Sequence, residues 1–83
     1  MSKVLVSVTC PAVDETYDVF IPPSLTVREA ASLLGKGFEN LSDGRYISSG
    51  YELLCTRKSN TFLRGSSTVA GSGIVNGTDL VLI

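Results

Sequence analysis

The segment TYDVFIPPSLTVREAASLL, residues 16–34, carries the two signals that decide the fold. Its first part alternates, with Tyr17, Val19 and Ile21 on one face and Thr16, Asp18 and Phe20 on the other, the pattern of a half-buried strand. Pro22–Pro23 stops that run, because proline has no N–H to donate to a ladder. Thr26–Val27–Arg28–Glu29 then fits a capping box, in which the threonine hydroxyl accepts the amide three residues on and the glutamate reaches back. From there Val27, Ala30, Ala31, Leu34 and Phe38 recur at helical spacing and form one buried stripe. Gly35 and Gly37 each weaken the last turn by roughly 1 kcal/mol relative to alanine, so fraying is expected over residues 36–40.

Upstream, Val4, Val6 and Val8 alternate along a first strand that Cys10–Pro11 closes, and a short polar connection joins it to the second strand as an antiparallel hairpin. Downstream, a polar stretch leads to a third strand over residues 51–57, a turn at Ser59–Asn60, and a short fourth strand over residues 61–64. The Gly/Ser-rich stretch that follows reads as a flexible connection, Asn76–Gly77 as a turn with positive φ, and residues 79–83 as a fifth strand. The order β-β-α-β-β-β predicts an α+β domain: a mixed sheet of four to five strands with one helix on one face. The fifth strand is expected in the middle of the sheet, between the first and third. The predicted core is Val4, Val6, Val8, Tyr17, Val19, Ile21, Val27, Ala30, Leu34, Phe38, Leu53, Cys55, Ile74, Leu80 and Leu82.

Composition narrows the function. Eighty-three residues, 43% hydrophobic and 18% charged, make one globular domain over residues 1–83. Seven Lys+Arg against eight Asp+Glu leave no long-range field to attract nucleic acid. There is no histidine, which removes the commonest general base and metal ligand together. Two cysteines are too few for a disulfide scaffold or a Cys-only zinc site, and no apolar run approaches a membrane span, so a cytoplasmic protein with reduced thiols is expected. Asp14–Glu15 reads as solvated turn chemistry rather than a metal site. Gly71 and Gly73 lack the spacing of a phosphate cradle, and Arg45, Arg57, Lys58 and Arg64 form a solvated edge rather than a nucleic-acid site. No catalytic residue, cofactor or metal is expected.

The passage from Val19 to Val27 and the closing Gly73–Ile74–Val75–Asn76–Gly77–Thr78–Asp79–Leu80 resemble ubiquitin, and with it the β-grasp fold. More closely, residues 21–31 and the closing segment resemble the bacterial ubiquitin-like YukD/EsaB family, which accompanies type VII (Ess/ESX-type) secretion systems of Gram-positive bacteria. That resemblance implies a non-catalytic, cytoplasmic protein-binding module, an accessory or regulatory component that meets cytoplasmic parts of the secretion machinery without inserting into the membrane. It equally covers a ubiquitin-like domain excised from a larger membrane component of such a system. A sulfur carrier or conjugated modifier, the remaining alternative, acts through a C-terminal Gly–Gly tail. The sequence given closes on Val81–Leu82–Ile83 instead, which disfavours that reading. In the β-grasp order the first and third strands lie two strand spacings apart, roughly 9.6 Å, beyond the reach of a Cys10–Cys55 bridge. Alternation leaves Leu5, Phe20, Leu54, Val81 and Ile83 on the sheet face away from the helix. There they are expected to form a protein-binding patch resembling ubiquitin's, with self-association through the same face as the competing use.

Overall fold

The computed structural model describes residues 2–83. Its elements run β1 (Val4–Cys10), β2 (Glu15–Ile21), α1 (Val27–Leu41), β3 (Leu54–Thr56), β4 (Thr61–Phe62) and β5 (Asp79–Leu82), with a 3-10 turn at Ala70–Ser72. The sheet order is β2-β1-β5-β3-β4. β1 and β2 pair antiparallel without a break from Val4↔Ile21 to Cys10↔Glu15. β5 lies between β1 and β3, parallel to the first through Ser7↔Asp79 and antiparallel to the second through Leu54↔Leu82. This is the α+β, β-grasp arrangement that the order of elements predicted, with the expected central fifth strand.

The capping box forms as read. The Thr26 hydroxyl accepts the Glu29 amide at 3.1 Å and Glu29 Oε1 accepts the Thr26 amide at 2.9 Å. The next two free amides of α1 find a partner that the sequence did not announce. Val27 N–H donates to the Ser67 carbonyl at 2.8 Å and Arg28 N–H to the Gly65 carbonyl at 3.0 Å. The Gly/Ser stretch is therefore a fitted cap on the helix start, not a loose connection. Its Val69 is completely buried, and the Val69 amide donates to the Leu25 carbonyl at 2.8 Å.

The core lies between α1 and the inner sheet face and includes Val6, Val8, Ile21, Val27, Ala30, Ala31, Phe38, Leu54, Leu80 and Leu82. Val4, Tyr17, Val19 and Leu34 flank it half-buried. The helix holds its form to Leu41 instead of fraying. Phe38 is clamped edge-on between Tyr17 and Tyr46, with ring centroids 5.5 and 6.4 Å away, and the Ser42 amide closes the last turn onto the Phe38 carbonyl at 2.9 Å.

The third strand corrects the sequence reading by one residue. Leu54 is 1% exposed and points into the core, whereas Leu53, expected inside, is 53% exposed. Cys55 is buried but points to the opposite face, and Cys10, not Cys55, fills a core position. Three consecutive apolar residues, Leu53–Leu54–Cys55, give no alternation from which to read a phase. The contrast supplies a measurement. Leu54→Ala is expected to lower unfolding free energy by about 2–5 kcal/mol, and Leu53→Ala by no more than about 0.5 kcal/mol, in urea titrations of the two variants.

Candidate functional site

The outer sheet face is where the candidate residues gather, and the ladder registers fix which ones. Leu53 and Ile83 exchange both backbone hydrogen bonds, at 2.8 and 2.9 Å, so their side chains stand opposite each other on one face. Val81, between inward Leu80 and Leu82, shares that face, and its partner Cys55 does too. Cys55 pairs in turn with Phe62 of β4. Leu53, Cys55, Phe62, Val81 and Ile83 thus form one apolar cluster across β3, β4 and β5, in which Phe62 is 56% and Ile83 59% exposed.

Of the five residues predicted from sequence, Val81 and Ile83 belong to this cluster. Leu54 does not, because its side chain is in the core, and Leu53 takes its place. Leu5 and Phe20 do face outward and pair with each other, but they lie at the far end of the sheet. The Gly77 amide donates to the Leu5 carbonyl, setting Leu5 level with residue 77. Val81 is four residues further along, about 13 Å at strand rise. Between the two groups runs a polar band. Ser7 is in register with Asp18 and Asp79, the Arg57 guanidinium reaches Thr9 Oγ1 at 3.2 Å, and Thr9 and Thr16 hydroxyls meet at 2.8 Å. The single expected patch is therefore two.

The approach to β3 is held by a polar network that sequence reasoning missed. Glu52 is buried beneath the helix. Its Oε2 accepts the Tyr46 hydroxyl at 2.7 Å and the Ser49 amide at 2.9 Å. Ser42, also buried, accepts the Tyr46 amide at 2.9 Å, and Glu39 accepts the Ser48 amide at 2.8 Å. Burial pulls the Glu52 carboxyl toward a higher pKa, but the bonds from Tyr46, Ser49 and Ser48 outweigh it and hold the group below the ordinary glutamate value. Burial, with the same bond to Glu52, raises the Tyr46 phenol. Gly35 makes room for this carboxylate, since a Cβ there would stand 2.6 Å from Glu52 Cδ. The only sequence signal was a helical glycine in the buried stripe.

Arg45 pairs with Glu15 at 2.8 Å. Cys10 and Cys55 are both free and buried, and burial pushes the Cys10 thiol up, away from the nucleophilic thiolate. Among the described residues no three acidic or thiol side chains converge to hold a metal ion, and no helix is long and apolar enough to cross a membrane.

No family model and no curated protein matches the chain. Solved structures do. The ubiquitin-like domain of an Arabidopsis thaliana protein superposes with a TM-score of 0.73 at 18% identity, covering 100% of this chain and 78% of that one. The fold is ubiquitin-like. The ubiquitin-like domain of the Mycobacterium tuberculosis type VII secretion system protein EccD1 gives a TM-score of 0.65 at 15% identity over 100% of this chain and 99% of that one. A chain of the MycP5-free ESX-5 inner membrane complex gives 0.72 at 15% identity, with all of this ubiquitin-like chain matching 21% of that one. These likenesses are of fold.

The Glu52 network contributes to the pH response of the ubiquitin-like fold, beside the capping Glu29, whose carboxyl is also held below its ordinary value by the Thr26 backbone and hydroxyl. A carboxyl whose folded pKa is depressed contributes stability above its unfolded pKa and loses it as pH falls through the folded value. A phenol whose folded pKa is raised contributes below its unfolded pKa and loses it as pH rises. Wild-type protein is therefore expected to lose stability below about pH 4.3 and above about pH 10, and Glu52→Gln to flatten the acid limb, in denaturant titrations across pH. Gly35→Ala is expected to destabilise by about 1–3 kcal/mol through displacement of Glu52. Gly37→Ala, where nothing lies within 4 Å of the new Cβ, should stabilise by about 0.5–1 kcal/mol.

Proposed function

We propose that this protein is a non-catalytic ubiquitin-like binding module, a cytoplasmic accessory or regulatory component of a bacterial type VII secretion system. The observation that carries the proposal is the apolar cluster on the outer sheet face in which exposed Leu53, Phe62 and Ile83 surround half-buried Val81. A solvent-facing sheet surface is ordinarily polar, and a contiguous group of large apolar side chains across three strands is the surface of a docking site. The resemblance of its residues to the YukD/EsaB family supports the pathway, as does the likeness to the EccD1 domain over nearly the whole of both chains. The partners are then the cytoplasmic parts of the secretion membrane machinery, and the apolar cluster is where they dock.

A second reading, a ubiquitin-like domain belonging to a larger membrane component, is favoured by the ESX-5 comparison, where the matching unit is about a fifth of a longer chain. Both readings use the same face. The charged double variant Leu53→Glu/Ile83→Glu is expected to keep dispersed amide NMR signals and to lose copurification with the purified cytoplasmic domains of the secretion membrane proteins. A folded double variant that copurifies as the wild type does would refute the docking role of this face.

A further inference from the structure

A cleft of about 260 Å³ opens between the first two turns of α1 and the chain around β3. Buried Val27, Ala31 and Leu54 and half-buried Leu63 line it with apolar atoms. The exposed side chains of Tyr51 and Arg28 stand at its mouth. The Arg28 guanidinium lies against Gly65, where a Cβ would stand 3.2 Å from Nη2.

The cleft exists because β4 is only two residues long. The Leu63 amide donates to the Leu54 carbonyl at 2.9 Å, and the chain then leaves the sheet to set the Gly65 carbonyl on the Arg28 amide. No strand therefore runs beside the residues that precede Leu54 on this side. Leu53 exchanges both backbone bonds with Ile83. A trans peptide unit points its C=O and N–H in opposite directions, so the Glu52 carbonyl, joined to the Leu53 nitrogen, turns away from β5 and toward the cleft. It accepts no hydrogen bond among the described residues.

The charge on this side of the molecule is positive. From Gly44 to Thr78 the chain carries Arg45, Arg57, Lys58 and Arg64 against a single acid, Glu52. That carboxylate is buried and engaged by the Tyr46 hydroxyl and the Ser49 amide. On α1, Glu29 is folded back onto Thr26 and Glu39 accepts the Ser48 amide. Arg45 is taken by Glu15, whereas Arg28 makes no ion pair among the described residues.

We propose that this cleft binds the C-terminal residue of a partner polypeptide, with the carboxylate on Arg28 and an apolar last side chain between α1 and β3. A guanidinium meets a carboxylate through two parallel hydrogen bonds. The space takes one large side chain, not a helix, and the amide N–H of the bound residue meets the Glu52 carbonyl. A free aliphatic acid is the poorer occupant, because it leaves that carbonyl without a donor. The site is separate from the outer-face docking reading, and only Leu53 borders both surfaces.

The test titrates nitrogen-15-labelled wild-type protein with three short Gly/Ser peptides and with 4-methylpentanoate. The first peptide ends in leucine with a free carboxylate, the second in leucine amide, and the third in serine with a free carboxylate. The first is expected to shift the amides of Arg28, Ala31, Leu63 and Gly65. The amidated peptide should bind about tenfold more weakly or worse, and the serine peptide and the aliphatic acid should be similarly impaired. Arg28→Gln, checked for dispersed amide signals, should bind the free-acid and amidated leucine peptides equally. Equal binding of those two peptides by wild type, or a preference kept in Arg28→Gln, would overturn the proposal. So would aliphatic acid or serine peptide binding as tight as the first peptide's, shifts centred on Phe62, Val81 and Ile83, or no shift at millimolar peptide. Those outer-face amides report the other surface, so either site can fail alone.

Discussion

Everything in this molecule hangs on how the first turn of α1 is satisfied. A helix start exposes amides with no partner inside the helix, and burying them unpaired costs heavily. Here Thr26 supplies one acceptor from its own side chain, and the carbonyls of Ser67 and Gly65 supply two more from a segment some forty residues later. Those bonds draw the connection between β4 and β5 across the end of the helix. Val69 is thereby driven into the core, and β5 is delivered to its slot between β1 and β3. One helix terminus thus couples the hairpin, the helix and the closing strand.

The sheet built around that helix has two differently occupied faces. The inner face is apolar apart from the hydrogen-bonded Glu52 carboxylate, whereas the outer face is divided by a band of hydroxyls and charges that leaves an apolar group at either end. The Leu53–Ile83 cluster sits on central and edge strands at one end, and Leu5 with Phe20 lies at the other.

How much of this was legible in the residues depended on periodicity. The hairpin, the capped helix and the closing strand could be read because Val4–Val6–Val8, Tyr17–Val19–Ile21 and the stripe from Val27 to Phe38 each repeat at a single period. β3 could not be phased, since Leu53, Leu54 and Cys55 are all apolar and the strand is only three residues long. That slip moved Leu54 onto the wrong face. The burial of Glu52 was illegible for a different reason. A carboxylate is tolerated inside only when donors converge on it, and those donors come from Tyr46 and Ser49 in a segment with no repeating pattern. The split of the outer face was hidden as well, because strand register, not alternation, sets the distance between Leu5 and Val81.

The place of β5 has a bearing on synthesis. The strand at the middle of the sheet is nearly the last stretch of these 83 residues to be made, and its partner Ser7 is among the first. Until residues 79–82 have left the ribosome, β1 has a partner on only one side and β3 has no route to it. The sheet can close only after translation of this domain is complete, in one step that spans almost its whole length. Nascent chains halted short of that point would present both inner strand borders to whatever else is nearby, a population that chaperones would recognise.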